Sequence, residues 1–223
     1  MNSGYWEDEG ATKTFTHKLS PQWIQDLPGK SLILDLGCGY GRITKQLFEA
    51  GYTRIIGYDP SKAMIARALQ ENPGPTYTSS VKQILQEKFD LVICFALFTS
   101  CPEPDEQEKI KNLIEKQTCE HAHLYISDLL LSKNEHYTER YKQRRLGIYG
   151  CFRSGETAIF RHHSDDHFSQ LFPELKELKE RTYQGETLTG NTIHISQFLL
   201  QKQSTVLSDK SQNDDPSRSI YMD

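Results

Sequence analysis

Short runs of continuous apolar residues alternate along this chain with stretches in which apolar positions recur every three or four residues. The first run, Ser31 to Leu36, ends in glycines and is followed by Arg42 to Ala50, where Ile43, Leu47 and Phe48 share one helical face. That pattern predicts strand, glycine-rich turn and helix. Arg54 to Asp59 repeats the strand, and Ser61 is placed to cap a helix whose Met64, Ile65, Ala68 and Leu69 lie on one face. A third strand region ends before Ser79, and a short helix around Val81, Ile84 and Leu85 leads into Phe89 to Phe95. This run is apolar on both faces, as a central parallel strand requires. Asp105 to Lys116 then carries Ile110, Leu113 and Ile114 at helical spacing, and His123 to Asp128 reads as the next strand. Alternation of this kind predicts an α/β fold, a parallel sheet with helices on both faces.

The last third breaks the rhythm. Two runs, Gly147 to Phe152 and Glu156 to Arg161, flank Ser154 and Gly155, a turn signal that predicts a β-hairpin. Ser164 is placed to cap a helix containing Phe168, Leu171 and Phe172, and Glu177 to Tyr183 and Thr192 to Leu200 read as an antiparallel pair of strands at the sheet edge. From residue 203 to 223 the chain is Ser, Asp, Asn and Lys with little to bury, so a disordered tail is expected. The organisation expected is one domain over 1–202, with 1–29 as an N-terminal cap segment and 132–163 as a lid inserted after the fifth strand.

With 223 residues, 36% of them hydrophobic, the chain is long enough for one full core. A net charge of -4 argues against a general nucleic-acid binder. No apolar run exceeds Leu91 to Phe98, far short of the roughly 20 residues of a membrane helix, and the acidic N-terminus is unlike a signal, so a cytoplasmic protein is expected. Cys38, Cys94, Cys101, Cys119 and Cys151 form no Cys-x-x-Cys pair, which predicts reduced packing thiols and no metal site. Locally the picture differs. Residues 132–163 hold seven basic side chains against three acidic ones, with Tyr137, Tyr141, Tyr149, Phe152 and Phe160 interleaved.

The candidate chemistry lies in Asp35 to Gly41, between the first strand and the first helix, where ligands bind at the carboxyl end of a parallel sheet. A dinucleotide fingerprint needs a glycine at its sixth position, where this chain has Arg42. Asp35 would also repel a pyrophosphate and suits an ammonium group instead, so the loop favours a cationic ligand. Asp59 ends the second strand, placed to accept hydrogen bonds from both ribose hydroxyls.

Through Leu34 to Arg42, through Gly57 to Ser61 with Met64, and through Phe89 to Phe95, the chain resembles the class I S-adenosylmethionine-dependent methyltransferases over about residues 30–130. The resemblance implies a Rossmann-like, mostly parallel seven-stranded sheet with an antiparallel last strand, and S-adenosylmethionine as cofactor. It implies that Asp35, Gly37, Cys38, Gly39 and Gly41 surround the methionine part, that Asp59 binds ribose, that Pro60 and Met64 border adenine, and that Phe95 and Ala96 floor the site near the sulfonium. Two departures stand out. Ser79, Ser80 and Val81 replace a frequent acidic residue after the third strand, and Thr118 to Ala122 replaces the usual Pro-Gly-Gly turn before the fifth.

Methyl transfer from a sulfonium needs placement more than covalent help, and a base only where the acceptor must lose a proton. Arg161, His162 and His163 are the candidates for anchoring a carboxylate or supplying that base. Tyr5, Trp6, Asp128 and Tyr149 are candidate acceptor contacts, and Phe15 to His17 a candidate cover. The acceptor expected is a small molecule with an oxygen to methylate, carboxylate or hydroxyl. An RNA or protein acceptor, or cofactor binding without catalysis, remain as alternatives; oligomeric state is left open.

Overall fold

The computed structural model describes residues 2–187 and 190–204. The expected tail therefore lies, from residue 205 onward, outside the described residues. The strands are β1 (Ile33–Leu36), β2 (Ile55–Tyr58), β3 (Thr76–Thr78), β4 (Phe89–Phe95), β5 (Thr118–Leu129), β6 (Cys151–Ser154), β7 (Ala158–Arg161), β8 (Leu175–Glu186) and β9 (Thr192–Lys202). The helices are α1 (Ser3–Glu7), α2 (Arg42–Glu49), α3 (Lys62–Glu71), α4 (Val81–Ile84), α5 (Leu97–Ser100), α6 (Pro104–Gln117), α7 (Glu135–Tyr141) and α8 (His167–Leu171). Seven strands form one sheet in the order β3-β2-β1-β4-β5-β9-β8, and β6 with β7 forms a separate hairpin. The first five of that order run parallel, and β9 is antiparallel to both of its neighbours. The Rossmann-like sheet with its antiparallel last strand is thus as the sequence implies. No helix among the described residues is long and apolar enough to cross a membrane.

The period of two along the strands assigns the core to two faces. Leu32, Leu34, Leu36, Val92 and Cys94 pack on one side with Ile110 and Ile114 of α6 and Phe168 and Phe172 around α8. Ile33, Leu91 and Ile93 point to the other, against Ile43 and Leu47 of α2. A third cluster sits beyond the sheet's end: Tyr137 and Tyr141 of α7 with Phe152, Ala158 and Phe160 of the hairpin, closed by Tyr5, Leu129 and Ile195. Residues 132–163 therefore carry a small aromatic core of their own.

Local chemistry sets several boundaries. The Ser61 hydroxyl accepts from Met64 N–H at 3.1 Å and starts α3, and Asn134 accepts from His136 N–H at 2.9 Å and starts α7. Three expectations shift. The helix after Ser164 begins only at His167 with Asp166 in the cap position, because the Ser164 carbonyl closes a turn with His167 N–H. The hairpin strands start later than the apolar runs suggest, at Cys151 and Ala158, and turn through Gly155 at φ 64°. β5, β8 and β9 extend past their apolar centres, since backbone pairing continues through polar residues such as Glu177–Arg181.

Candidate active site

The loop from β1 to α2 is pinned to the end of β2: Gly37 and Cys38 N–H both donate to the Tyr58 carbonyl, at 2.8 and 3.0 Å. Gly39 has φ 54°, and a Cβ there would find no atom nearer than Phe15 at 3.9 Å, so the space it would fill is cavity. At Gly41, φ 80°, the same atom would strike the Tyr77 hydroxyl at 2.5 Å, so this glycine serves packing instead. The Asp59 carboxylate accepts from Gly39 N–H at 3.0 Å and from Ser61 N–H at 2.9 Å, one bond on each oxygen. Asp35 accepts from the Thr44 hydroxyl at 2.6 Å. Burial pushes both carboxyls up, Asp35 to about 6 and Asp59 to about 6, against the bonds that stabilise their ionised forms.

These groups open on a cavity of about 810 Å³, counting its mouth. Every residue the sequence assigns to the cofactor lines it, Gly41 excepted. Pro60 and Met64 form an apolar wall, and Phe95 and Ala96 the floor at the end of β4. Ala96 holds φ 55°, a left-handed conformation fixed by its N–H bonding the Ser127 carbonyl at 2.8 Å. The N-terminal segment joins the lining. Trp6, Phe15 and His17 line the cavity, the Trp6 carbonyl accepts from the Ser61 hydroxyl, and Glu7 accepts from the N–H groups of Lys62 and Ala63 at the start of α3. Asn2 ties the same segment to Ser100 and Ile159.

A second cavity of about 570 Å³ adjoins the first and shares Phe15, His17, Ala96 and Ser100 with it. Its far walls are Tyr137, Phe152 and Phe160, with Arg140 and His162 as polar groups. Arg140 lies over the Phe152 ring, 4.4 Å from its centroid.

Residues 33–116 match the family model of a methyltransferase domain. Over those residues the chain is similar to a methyltransferase domain, set in the fold of S-adenosylmethionine-dependent methyltransferases. Its fold is that of a methyltransferase from Methanosarcina mazei, with 24% identity and TM-score 0.76 over 84% of this chain and 99% of that one. An Anabaena variabilis methyltransferase aligns with TM-score 0.61 and 18% identity over 82% of each chain. The magnesium protoporphyrin IX methyltransferase of Synechocystis, with S-adenosylmethionine bound, aligns with TM-score 0.59 and 17% identity over 91% of this chain and 95% of that one. No curated protein matches this chain in sequence.

The residues present fit the cofactor. Gly39 leaves a cradle that a Cβ would fill, and Asp59 keeps a lone pair on each oxygen for hydroxyl donors. Asp35, buried, and Asp59, half-buried, have no ion-pair partner among the described residues, a setting that suits a ligand bearing positive charge.

On the acceptor side the sequence candidates separate. His162 lines the second cavity, its Nδ1 2.6 Å from the Tyr141 hydroxyl, and burial pushes its pKa down to about 3. Trp6 lines the first cavity. Arg161 and His163 line neither: Arg161 reaches the Pro102 carbonyl at 3.5 Å, and His163 lies stacked on His167 with its Nε2 3.0 Å from Gln107. Asp128 is also fully buried, holding the N–H groups of Phe98 and Thr99 and so fixing α5 beneath Ala96 and Ser100. Tyr5 packs edge-on against Phe160, and Tyr149 is half exposed beside Tyr141. Sequence reasoning passed over Arg140 and, as a polar contact, His17. The one signal for His17 is a histidine inside an aromatic segment before β1; its partner Ser127 lies too far along the chain to be read from sequence.

Proposed function

We propose that this methyltransferase moves the methyl of S-adenosylmethionine to an oxygen, carboxylate or hydroxyl, of a small molecule seated in the second cavity, and that it works in the cytoplasm. The observation that carries the reading is the junction: the two cavities meet at Ala96 and Ser100, over the floor where the sequence resemblance puts the sulfonium. When bound, the cofactor supplies a carbon already activated by positive charge. The chain's residues then have to hold, orient and dry the site. Asp35 would hold the ammonium group and Asp59 the ribose hydroxyls, with Pro60 and Met64 against the base. Phe15 and Trp6 exclude water from above, and the aromatic walls of α7 and the hairpin, serving as a lid, set the shape of the acceptor. Arg161, His163 and Asp128 would support this lid and floor from behind. A cavity walled by four aromatic rings suits a compact, partly apolar molecule better than a polymer track.

The test is calorimetric titration with S-adenosylmethionine, followed by incubation of a metabolite extract with methyl-labelled cofactor. Asp59→Ala should weaken cofactor binding by about 2 to 4 kcal/mol in a folded protein. Unchanged affinity would remove Asp59 from the site, and label incorporated only into macromolecules would overturn the small-molecule assignment.

A further inference from the structure

The hydrogen bonds behind the second cavity have directions that can be read from their ends. Arg181 Nε can only donate, and it meets Gln197 Oε1 at 2.8 Å. The Lys18 carbonyl can only accept, and Gln197 Nε2 donates to it at 2.7 Å. The Gln197 amide is therefore fixed at both ends, and its remaining proton goes to Ser127 Oγ at 3.0 Å. Ser127 is fully buried, and its own proton has one partner left among the described residues, His17 Nδ1 at 3.1 Å. Nδ1 of His17 thus accepts, and the ring carries its proton on Nε2. A second relay repeats the logic. Ser132 N–H donates to the Tyr141 hydroxyl at 3.1 Å, so this buried hydroxyl gives its proton to His162 Nδ1 at 2.6 Å. His162 also carries its proton on Nε2.

Both histidines line the second cavity, His17 at the junction with the cofactor cavity; no hydrogen bond from a described residue reaches His162 Nε2, and the His17 ring is held by Ser127 alone, through its hydroxyl and its backbone. They face the ligand space as N–H donors, and burial keeps both rings neutral at physiological pH. Arg140 adds positive charge, while the one acidic residue on the walls, Glu186, is exposed at the rim. The Ser100 hydroxyl spends its proton on the Ala96 carbonyl at 2.9 Å. No buried group on these walls is left to take a proton.

We infer that the second cavity receives an organic carboxylate on an aromatic or apolar body, held by the Nε2–H groups of His17 and His162, and that His17 positions its oxygen without acting as a base. This rests on the methyl-transfer reading above. A carboxylate oxygen forms the new bond to the methyl carbon, the carbon–sulfur bond breaks with its electron pair staying on sulfur, and the carboxylate and sulfonium charges cancel to give an ester and a thioether. No proton moves, which matches walls that offer donors only.

Two measurements on the full-length protein test this. Long-range ¹H–¹⁵N correlation of the histidine rings, without ligand, should show the Nε2–H tautomer at His17 and at His162, assigned by His17→Gln and His162→Gln. An Nδ1–H form or a charged ring at His17 in the wild type would overturn the proposal whether or not any variant folds. The second measurement titrates 2-naphthoate, 2-naphthamide and 2-naphthylmethylamine in the presence of S-adenosylhomocysteine. The carboxylate should bind at least about tenfold tighter than the amine, the preference should fall in His17→Phe, and His17→Gln, which keeps a donor, should restore it. A tighter amine, or an undiminished preference in His17→Phe, would sink it. If the tautomers and the carboxylate preference hold while S-adenosylmethionine fails to bind, the methyl-transfer reading falls and the anion site stands.

Discussion

Asp35 and Asp59 each face the first cavity with a carboxyl pushed up to about 6 by burial, from an ordinary value of 3.8. Below pH 6 the free protein holds these groups protonated, whereas a ligand with an ammonium group and ribose hydroxyls favours the ionised forms. Cofactor binding should therefore release protons near pH 6, and affinity should rise as pH increases through 6 and level off above it. Calorimetry in buffers of different ionisation enthalpy reads that release directly; affinity independent of pH from 5 to 7.5 would count against both carboxylates as ligands. Ala96 offers a second test at this scale. Its left-handed φ of 55° costs roughly 1 to 2 kcal/mol, and glycine removes that cost against about 0.5 to 1 kcal/mol of lost chain rigidity. Ala96→Gly should hold or slightly raise the melting temperature, where the same change at an ordinary position lowers it. At the residue scale the sequence was legible for groups whose role is local: Asp59 follows a strand, and the glycines follow another. It was not legible for His163 and Arg161, whose ionisable side chains advertise chemistry while their packing against His167 and Pro102 turns them away from it.

Among the elements, the segment before the sheet adds Asn2, Trp6, Phe15 and His17 to the lining of the first cavity. Arg67 of α3 donates to the Ala11 and Lys13 carbonyls at 3.0 and 2.7 Å and lies over the Tyr40 ring. The backbone at Lys13 is thus held by the same helix whose first turn Glu7 caps. Trypsin should cut after Lys13 slowly in the wild type, more slowly with cofactor bound, and several times faster in Arg67→Ala, as followed by mass spectrometry. Equal rates in all three would show that this contact does not restrain the segment. The same part of the chain shows why elements differ in legibility. β1 and β4 are apolar on both faces and announce themselves, but α1 has one turn and no capping side chain, and α7 rests on Tyr137 and Tyr141 alone. β8 is charged and mostly exposed because it is an edge strand, where polar side chains guard unpaired backbone groups. Its extent follows from pairing with β9, which periodicity in one segment does not reveal.

At the scale of the molecule, the two adjoining cavities draw most of their walls from different parts of the chain. All residues lining the first cavity precede Pro102, whereas the walls of the second that are not shared come mainly from Leu129 to Thr187 and rest on the third cluster. Phe152→Ala should therefore cost about 3 to 5 kcal/mol of stability in that cluster and weaken carboxylate probes, while cofactor affinity stays within about twofold. Paired calorimetric titrations check it, and an equal loss for both ligands would show the clusters to be one cooperative unit. The order of the cavities along the chain has a further consequence for descent. A crossover or insertion falling between β5 and α8 rewrites most of the unshared walls of the second cavity in a single event and leaves the lining of the first intact. A lineage built this way can change what it methylates without first losing the ability to methylate, so novelty in substrate carries little penalty for the machinery that makes it worth having.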